Sequence, residues 1–355
     1  MHELRLCMLG YGNAGRAFGR LLSEKRAEIA EAYGIDVRIV SVATGSHGIL
    51  QDSAGLDPKE IEAVFDAGAV PGIGDATGSN DSSGAASNSG STTDSNVTSG
   101  TDTCYSSALE LAEKSDYDVL LELTPLDIFT GQPATDHIRA ALSRGKHAVS
   151  ANKGPVAWAH RELASLAKAN DALFYFETAV MDGAPVFNLV DDTLKLCRVT
   201  GISGIFNSTT NFILDRMKER TPMEEIMEEG RRLGFVEADP DMDVLGWDAA
   251  AKTAALMNVL MDADIKPTEI RREGIENVTY ERIENAAARG RVIKLVCRGY
   301  YEEGRPVGEV KPAELNADDI YATIAGTTSI VQVTTDLMGT LSIVEHDPLI
   351  GQTAY

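Results

Sequence analysis

The chain has 355 residues, with 54 Asp or Glu against 32 Lys or Arg and a formal net charge of −22. At ~150 residues per domain this predicts two domains, long enough to bury a core without disulfide or metal staples. So acidic a surface argues against nucleic acid and against an anionic membrane as partner, because both present negative charge.

No apolar run approaches the ~20 residues of a membrane span. Residues 1–6 lack the basic and apolar regions of a signal peptide. Cys7, Cys104, Cys197 and Cys297 are scattered with no CxxC pair, which reads as reduced thiols in a cytoplasmic protein. Many carboxylates with little Lys suit a protein kept soluble at high salt, so the charge is read as a halophile's habitat signal and not as a functional one.

Residues 4–10 form a short apolar run ending at glycine, which predicts a buried first strand. From Gly12 to about residue 32, Ala17, Phe18, Leu21, Leu22 and Ile29 recur at helical spacing, and residues 37–43 read as a second strand. Strand, helix and strand in succession make a βαβ unit, hence a parallel sheet with a right-handed crossover. At its first turn stands Gly10-Tyr11-Gly12-Asn13-Ala14-Gly15, a GxGxxG. Gly10 permits the tight turn, Gly12 lets a pyrophosphate approach the backbone, and Gly15 lets helix and strand pack closely. Free N–H groups at the helix start, where Asn13 and Ala14 lie, hold the phosphates. A dinucleotide, NAD or NADP, is therefore the expected cofactor. Asp36 precedes the second strand and is a decoy for the ribose-binding acid. The strand end, residues 43–47, carries no acid, and Ser46 and His47 suit a 2′-phosphate. No Arg stands there either, so the reading favours NADP and leaves NAD open.

Residues 75–103 are rich in Ser, Gly, Asn and Thr without apolar anchors, the composition of a disordered surface insertion. The α/β pattern then resumes. Residues 107–114 read as a helix, 118–123 as a buried strand closed by Thr124-Pro125, 135–144 as a helix stopped by Gly145, and 147–150 as a further strand. Lys153 follows at its carboxyl end, where ligands bind in open α/β sheets. Beyond residue 155 helices alternate with extended runs such as 172–176 and 292–296. This predicts an α+β second domain over 156–340, after a dinucleotide-binding domain over 1–155. Its Thr-, Val- and Ile-rich end, 325–340, suits a sheet that pairs across a dimer.

The densest polar cluster spans residues 234–252. Asp248 and Lys252 stand at i and i+4 on a helix predicted over 248–260. One reading is a surface ion pair. Ala249, Ala250, Ala251, Ala254, Ala255 and Leu256 around them instead predict a largely buried helix, and Glu237, Asp239, Asp241 and Asp243 crowd the preceding turn. A buried lysine beside carboxylates is a proton donor, and carboxylates partner a substrate ammonium.

Gly10-x-Gly12-x-x-Gly15, Ser150-Ala151-Asn152-Lys153, Asn207 to Leu214, and Glu237-Ala238-Asp239-Pro240 leading to Asp248-x-x-x-Lys252 stand in the order of one family. The chain resembles the homoserine dehydrogenases. The resemblance implies a Rossmann-type dinucleotide-binding domain, an α+β catalytic and dimerisation domain, and reversible reduction of L-aspartate 4-semialdehyde to L-homoserine by NAD(P)H. It implies Lys252 as proton donor, Lys153 beside the nicotinamide, and Glu237, Asp243 and Asp248 at the small-molecule substrate. Thr124 is implied at the cofactor, and a homodimer as the assembly. A monovalent cation, Na or K, is implied on Glu177 and the carbonyls of Val180, Asp182 and Ala184. A simple turn with a stray Glu is the other reading of that loop. His137, His147 and His160 read as surface or packing residues.

The chain departs from the family at Asn207-Ser208-Thr209, where glycine is common, and at 181–184, which is poorer in glycine. Family members end in a segment returning to the cofactor domain. Here residues 341–355 are expected to complete that domain, either as a compact variant or with the final helix missing, which leaves Gly351 open as a cofactor residue. No added regulatory domain is expected. The other readings are a related oxidoreductase acting on another amino-acid aldehyde or keto acid, and a catalytically silent dinucleotide-binding regulator.

Overall fold

The computed structural model describes residues 1–67, 105–236, 239–348 and 352–354. The first apolar run forms β1 (His2–Leu9), and the glycine-rich turn leads into α1 (Asn13–Tyr33). β2 (Ile35–Thr44) returns parallel to β1, and β3 (Gly48–Gln51) folds back on it as an antiparallel hairpin. α2 (Pro58–Asp66) starts where the Asp57 side chain accepts from the Lys59 N–H, a cap that satisfies one free donor of the first turn. α3 (Ala108–Lys114), β4 (Val119–Glu122), α4 (Ala134–Ser143), β5 (His147–Ser150), α5 (Lys153–Ala169) and β6 (Phe174–Tyr175) continue the alternation.

The sheet order is β3-β2-β1-β4-β5-β6, parallel except at β3. Chain order reverses at β1, which has β2 on one side and β4 on the other. That switch point opens a crevice beyond the carboxyl ends of β1 and β4. The register puts Leu9, Glu122 and Ser150 in one row across β1, β4 and β5, so the turns that follow these three strands converge on the crevice.

Two expectations are corrected here. Residues 172–176 do not begin the second domain: Phe174–Tyr175 pairs parallel with β5, so the first sheet runs on past residue 155. Asp36 lies within β2 and is held by Arg26 and Arg38, away from the strand end. The expected insertion at 75–103 lies outside the described residues.

The second unit comprises α6 (Val186–Thr193), β7 (Val199–Ile205), α7 (Ser208–Lys218), α8 (Met223–Leu233), α9 (Asp241–Val244), α10 (Trp247–Leu260), β8 (Arg271–Arg272), α11 (Tyr280–Ala287), β9 (Arg291–Glu302), β10 (Arg305–Asn316), β11 (Ser329–Thr335) and β12 (Gly339–Glu345). Its sheet has the order β12-β11-β7-β9-β10-β8 and is antiparallel except between β10 and β8. Residues 341–345 thus belong to this sheet and not to the first. Among the described residues after them, the short turn Gln352–Ala354 packs on α1.

α10 lies between this sheet and α5 and is apolar nearly all round, as a helix buried on several faces must be. Its Ala249, Ala250, Ala254 and Ala255 are fully enclosed with Leu256 and Met257. The two larger side chains contribute roughly 1.5–3 kcal/mol each by burial. This position sets Asp248 and Lys252, in the first half of α10, beside the start of α5 in the first unit. No described helix is long and apolar enough to cross a membrane.

Candidate active site

The glycine-rich turn has the shape its sequence predicts. Gly10 sits at φ +97°, and a Cβ there would come 2.4 Å from the Leu123 carbonyl oxygen. Gly15 lies against the Gly10 carbonyl, where a Cβ would stand at 3.0 Å. Gly12 faces open space, with nothing within 4 Å of a built Cβ. It is also the N-cap of α1, with no side chain bonded to it and no acid in the first turn. Free N–H groups, the positive helix end and an open approach over Gly12 suit a pyrophosphate. At the end of β2 the Ser46 hydroxyl meets His47 Nδ1 at 2.7 Å, and the His47 ring packs against Phe65.

Thr124 follows β4 directly over Gly10. Its N–H donates to Glu122 Oε1 at 2.9 Å, and its hydroxyl donates to the same oxygen. Asn152 caps α5 by accepting from the Gly154 N–H at 2.8 Å, while its amide donates to the Thr124 carbonyl at 2.9 Å. One side chain thus ties the turn after β4 to the turn after β5, and Lys153 is the next residue.

Lys153 reaches across to α10. Its Nζ lies 3.1 Å from Asp248 Oδ1, and Lys252 Nζ lies 3.2 Å from Asp248 Oδ2. The three side chains keep only 14–19% of their surface exposed. Lys252 also donates to the Phe206 carbonyl at the end of β7, at 2.8 Å. Asn207, next in sequence, caps α7 by accepting from the Thr210 N–H and turns its amide onto two carboxylates. It meets Asp243 Oδ1 at 2.6 Å and Asp248 Oδ2 at 2.9 Å.

The charges set the titration. Burial opposes ionisation of Asp248, but the ammonium groups of Lys153 and Lys252 and the Asn207 hydrogen bond hold its carboxyl well below the usual range. Burial pulls the Lys252 ammonium down, and the carboxylates of Asp248, Asp182 and Asp243 more than offset it, leaving the lysine above its ordinary value. Among the described residues no ammonium is in contact with Asp243. Burial, then the nearby Asp248 charge, push its carboxyl up to about 6.

Several residues were not legible as site members. The Lys153–Asp248 contact and the carboxylate of Asp182 near Lys252 arise only from packing. Glu345, at the end of β12, accepts from the Gly183 N–H in the same neighbourhood. Asn207 stands in an N-cap position before Ser208-Thr209, a local signal for a helix start but not for the two carboxylates it bridges. Of the two readings of His137, surface or packing, the structure shows packing: it is buried, with Nδ1 at 2.7 Å from Glu122 Oε2. Glu237 and Gly351 lie outside the described residues. The Glu177 carboxylate accepts from the N–H groups of Phe187 and Asn188 at 2.7 and 2.9 Å and so holds the start of α6. The Ala184 carbonyl accepts from the Val186 N–H, and the Asp182 side chain accepts from the Thr353 hydroxyl at 2.7 Å. Among the described residues no three His, Cys, Asp or Glu side chains group as a metal site.

A switch-point crevice with an open glycine turn, joined to a lysine–aspartate–lysine cluster, defines a two-domain nicotinamide-dependent oxidoreductase. Residues 10–177 match the family model of the homoserine dehydrogenase NAD-binding domain, and residues 185–355 match that of homoserine dehydrogenase itself. The chain is 31% identical to the NAD(+)-dependent homoserine dehydrogenase of Pseudomonas canavaninivorans, over 99% of this chain and 93% of that one. The chain belongs to the homoserine dehydrogenase family. It is also 30% identical to the homoserine dehydrogenase of Methanocaldococcus jannaschii, over 94% of this chain and 90% of the other. A solved hyperthermophilic archaeal homoserine dehydrogenase in complex with NADPH superposes with a TM-score of 0.74 at 25% identity, covering 99% of this chain and 94% of that one.

Proposed function

We propose that the chain interconverts L-aspartate 4-semialdehyde and L-homoserine, with Lys252 as the proton donor to the aldehyde oxygen and Lys153 beside the hydride-transfer path. The observation that carries this is Asp248, whose two oxygens hold one ammonium from each unit. A dinucleotide with its pyrophosphate held by Gly10–Gly15 would supply the hydride. As the aldehyde carbon is reduced, negative charge grows on its oxygen. The Lys252 ammonium, kept charged by its carboxylate neighbours, stabilises that oxygen and gives it a proton. Asp248 orients both lysines. Glu237 and Asp243 would take the substrate ammonium, with Asp248 holding the two lysines beside it.

Gly10, Gly12, Asn13, Ala14, Gly15 and Thr124 would line the dinucleotide, with Thr124 serving as a fixed wall of the crevice because its N–H, hydroxyl and carbonyl are already bonded to Glu122 and Asn152. Ser46 and His47 support NADP as the preferred form, while the relative from Pseudomonas is named for NAD(+). The monovalent cation would be held by Glu177 and the carbonyls of Val180, Asp182 and Ala184. These are hard oxygen donors that suit such an ion, and with Glu177 already at the start of α6 its part would be to brace the loop carrying Asp182. A dimer built through the second sheet, a cytoplasmic location and a surface adapted to high salt complete the reading.

The deciding experiment measures NAD(P)H formation from L-homoserine with NADP and NAD separately, at low and at multimolar KCl. Turnover with L-homoserine and none with other hydroxy amino acids supports the reading. Cofactor binding without turnover at any salt overturns it.

A further inference from the structure

Glu122 is a carboxylate with no exposed surface at the end of a strand in the first sheet. Removing a carboxylate from water is costly unless its partners take up the charge. Its partners are specific. Oε1 accepts both the N–H and the hydroxyl of Thr124, and Oε2 faces Nδ1 of His137 from α4 at 2.7 Å. With the carboxylate as acceptor, Nδ1 of His137 carries the proton between them.

Thr124 cannot move alone. The Leu123–Thr124 peptide lies against the α-carbon of Gly10, closely enough that a single Cβ there would overlap it. The Thr124 carbonyl accepts from Asn152, which caps α5 one residue before Lys153. The carboxylate therefore sits behind both walls of the crevice: the phosphate-binding turn through Gly10, and the lysine through Asn152.

We propose that Glu122 and His137 are a positioning pair for the bound dinucleotide. They lock the turn after β4 so that Gly10–Gly15 and Lys153 hold one spacing across the nicotinamide. Neither touches the reacting atoms. This rests on the dinucleotide reading of the glycine turn, and a sub-ångström shift there is felt in catalysis as lost alignment.

The test titrates the full-length chain with NADPH and NADH by fluorescence, then measures the KM of each substrate and kcat, with thermal melts alongside. Three variants are compared with wild type: Glu122→Gln, His137→Asn and His137→Leu. His137→Asn keeps a side-chain N–H near the former Nδ1, whereas His137→Leu removes it at similar bulk. The expected result is a rise of at least about tenfold in dinucleotide Kd for Glu122→Gln and His137→Leu, with the KM for L-homoserine unchanged. His137→Asn should recover most of the affinity. If all three folded variants bind the dinucleotide as wild type does and only their melting temperatures fall, the pair is merely structural and the inference is overturned. If wild type itself binds neither NADPH nor NADH, the failure belongs to the dinucleotide reading. Should Glu122→Gln not fold, the contrast between His137→Asn and His137→Leu decides alone.

Discussion

The Lys153 ammonium lies 3.1 Å from the Asp248 carboxylate, although one residue opens α5 after β5 of the first sheet and the other stands in the first turn of α10 in the second unit. The same carboxylate holds Lys252 on its other oxygen. A catalytic centre assembled this way depends on the two units keeping one spacing, and the packing of α10 on α5 supplies it.

Lys252→Ala removes the proton donor but leaves Asp248 paired with Lys153. Turnover should fall about 10²–10⁴-fold. The Kd for NADPH and the melting temperature should stay close to wild type. Steady-state rates with L-homoserine, set beside a fluorescence titration, check this, and unchanged turnover would remove Lys252 from the mechanism.

Asp248→Asn takes away the charge that holds Lys252 above its ordinary value. Losing a nearby anion lowers a lysine pKa, so the basic form appears at lower pH. In the oxidation of homoserine the lysine acts as base. The rising limb of kcat against pH should therefore move to lower pH in this variant, even as kcat itself falls. A pH–rate profile over the alkaline range reads the direction.

Asp243 ionises at about 6. As the carboxylate meant for a substrate ammonium, it should make kcat/KM for L-homoserine rise as pH increases through that value. Asn207→Ala withdraws a hydrogen bond that favours the ionised form, so the limb should move up by about one pH unit. Profiles of kcat/KM between pH 5 and 8 distinguish this from a simple loss of activity.

Gly12 and Gly10 should respond oppositely. Gly12→Val adds a side chain into open space over the turn, so stability should hold while dinucleotide Kd rises more than about tenfold, about 1.4 kcal/mol. Gly10→Ala places a Cβ at positive φ against the Leu123 carbonyl, and should cost about 2–4 kcal/mol of stability. Thermal melts and titrations on both variants make the comparison.

With a net charge of −22, self-repulsion should destabilise the chain at low ionic strength. Raising KCl to 1 M shortens the screening length from about 10 Å at 0.1 M to about 3 Å. The melting temperature should climb steeply over that range. A flat melting curve across the salt series would sever the charge from salt adaptation.

The local chemistry was legible in the sequence because it is carried by neighbours. The βαβ order, the three glycine roles and the Asp248–Lys252 step are short-range patterns, set by backbone sterics and helical periodicity, and β1, α1, β4, β5 and α10 formed where those patterns lay. Tertiary structure alone decided the rest. Phe174–Tyr175 joined the first sheet because a free parallel edge at β5 could satisfy its backbone. Lys153 met Asp248, Asn207 bridged two aspartates, and His137 turned inward to Glu122 through contacts between distant segments. Such pairings leave no periodic trace in a chain, since each buried charge fixes only that a partner must exist and the packing of helices on sheets decides which residue it is.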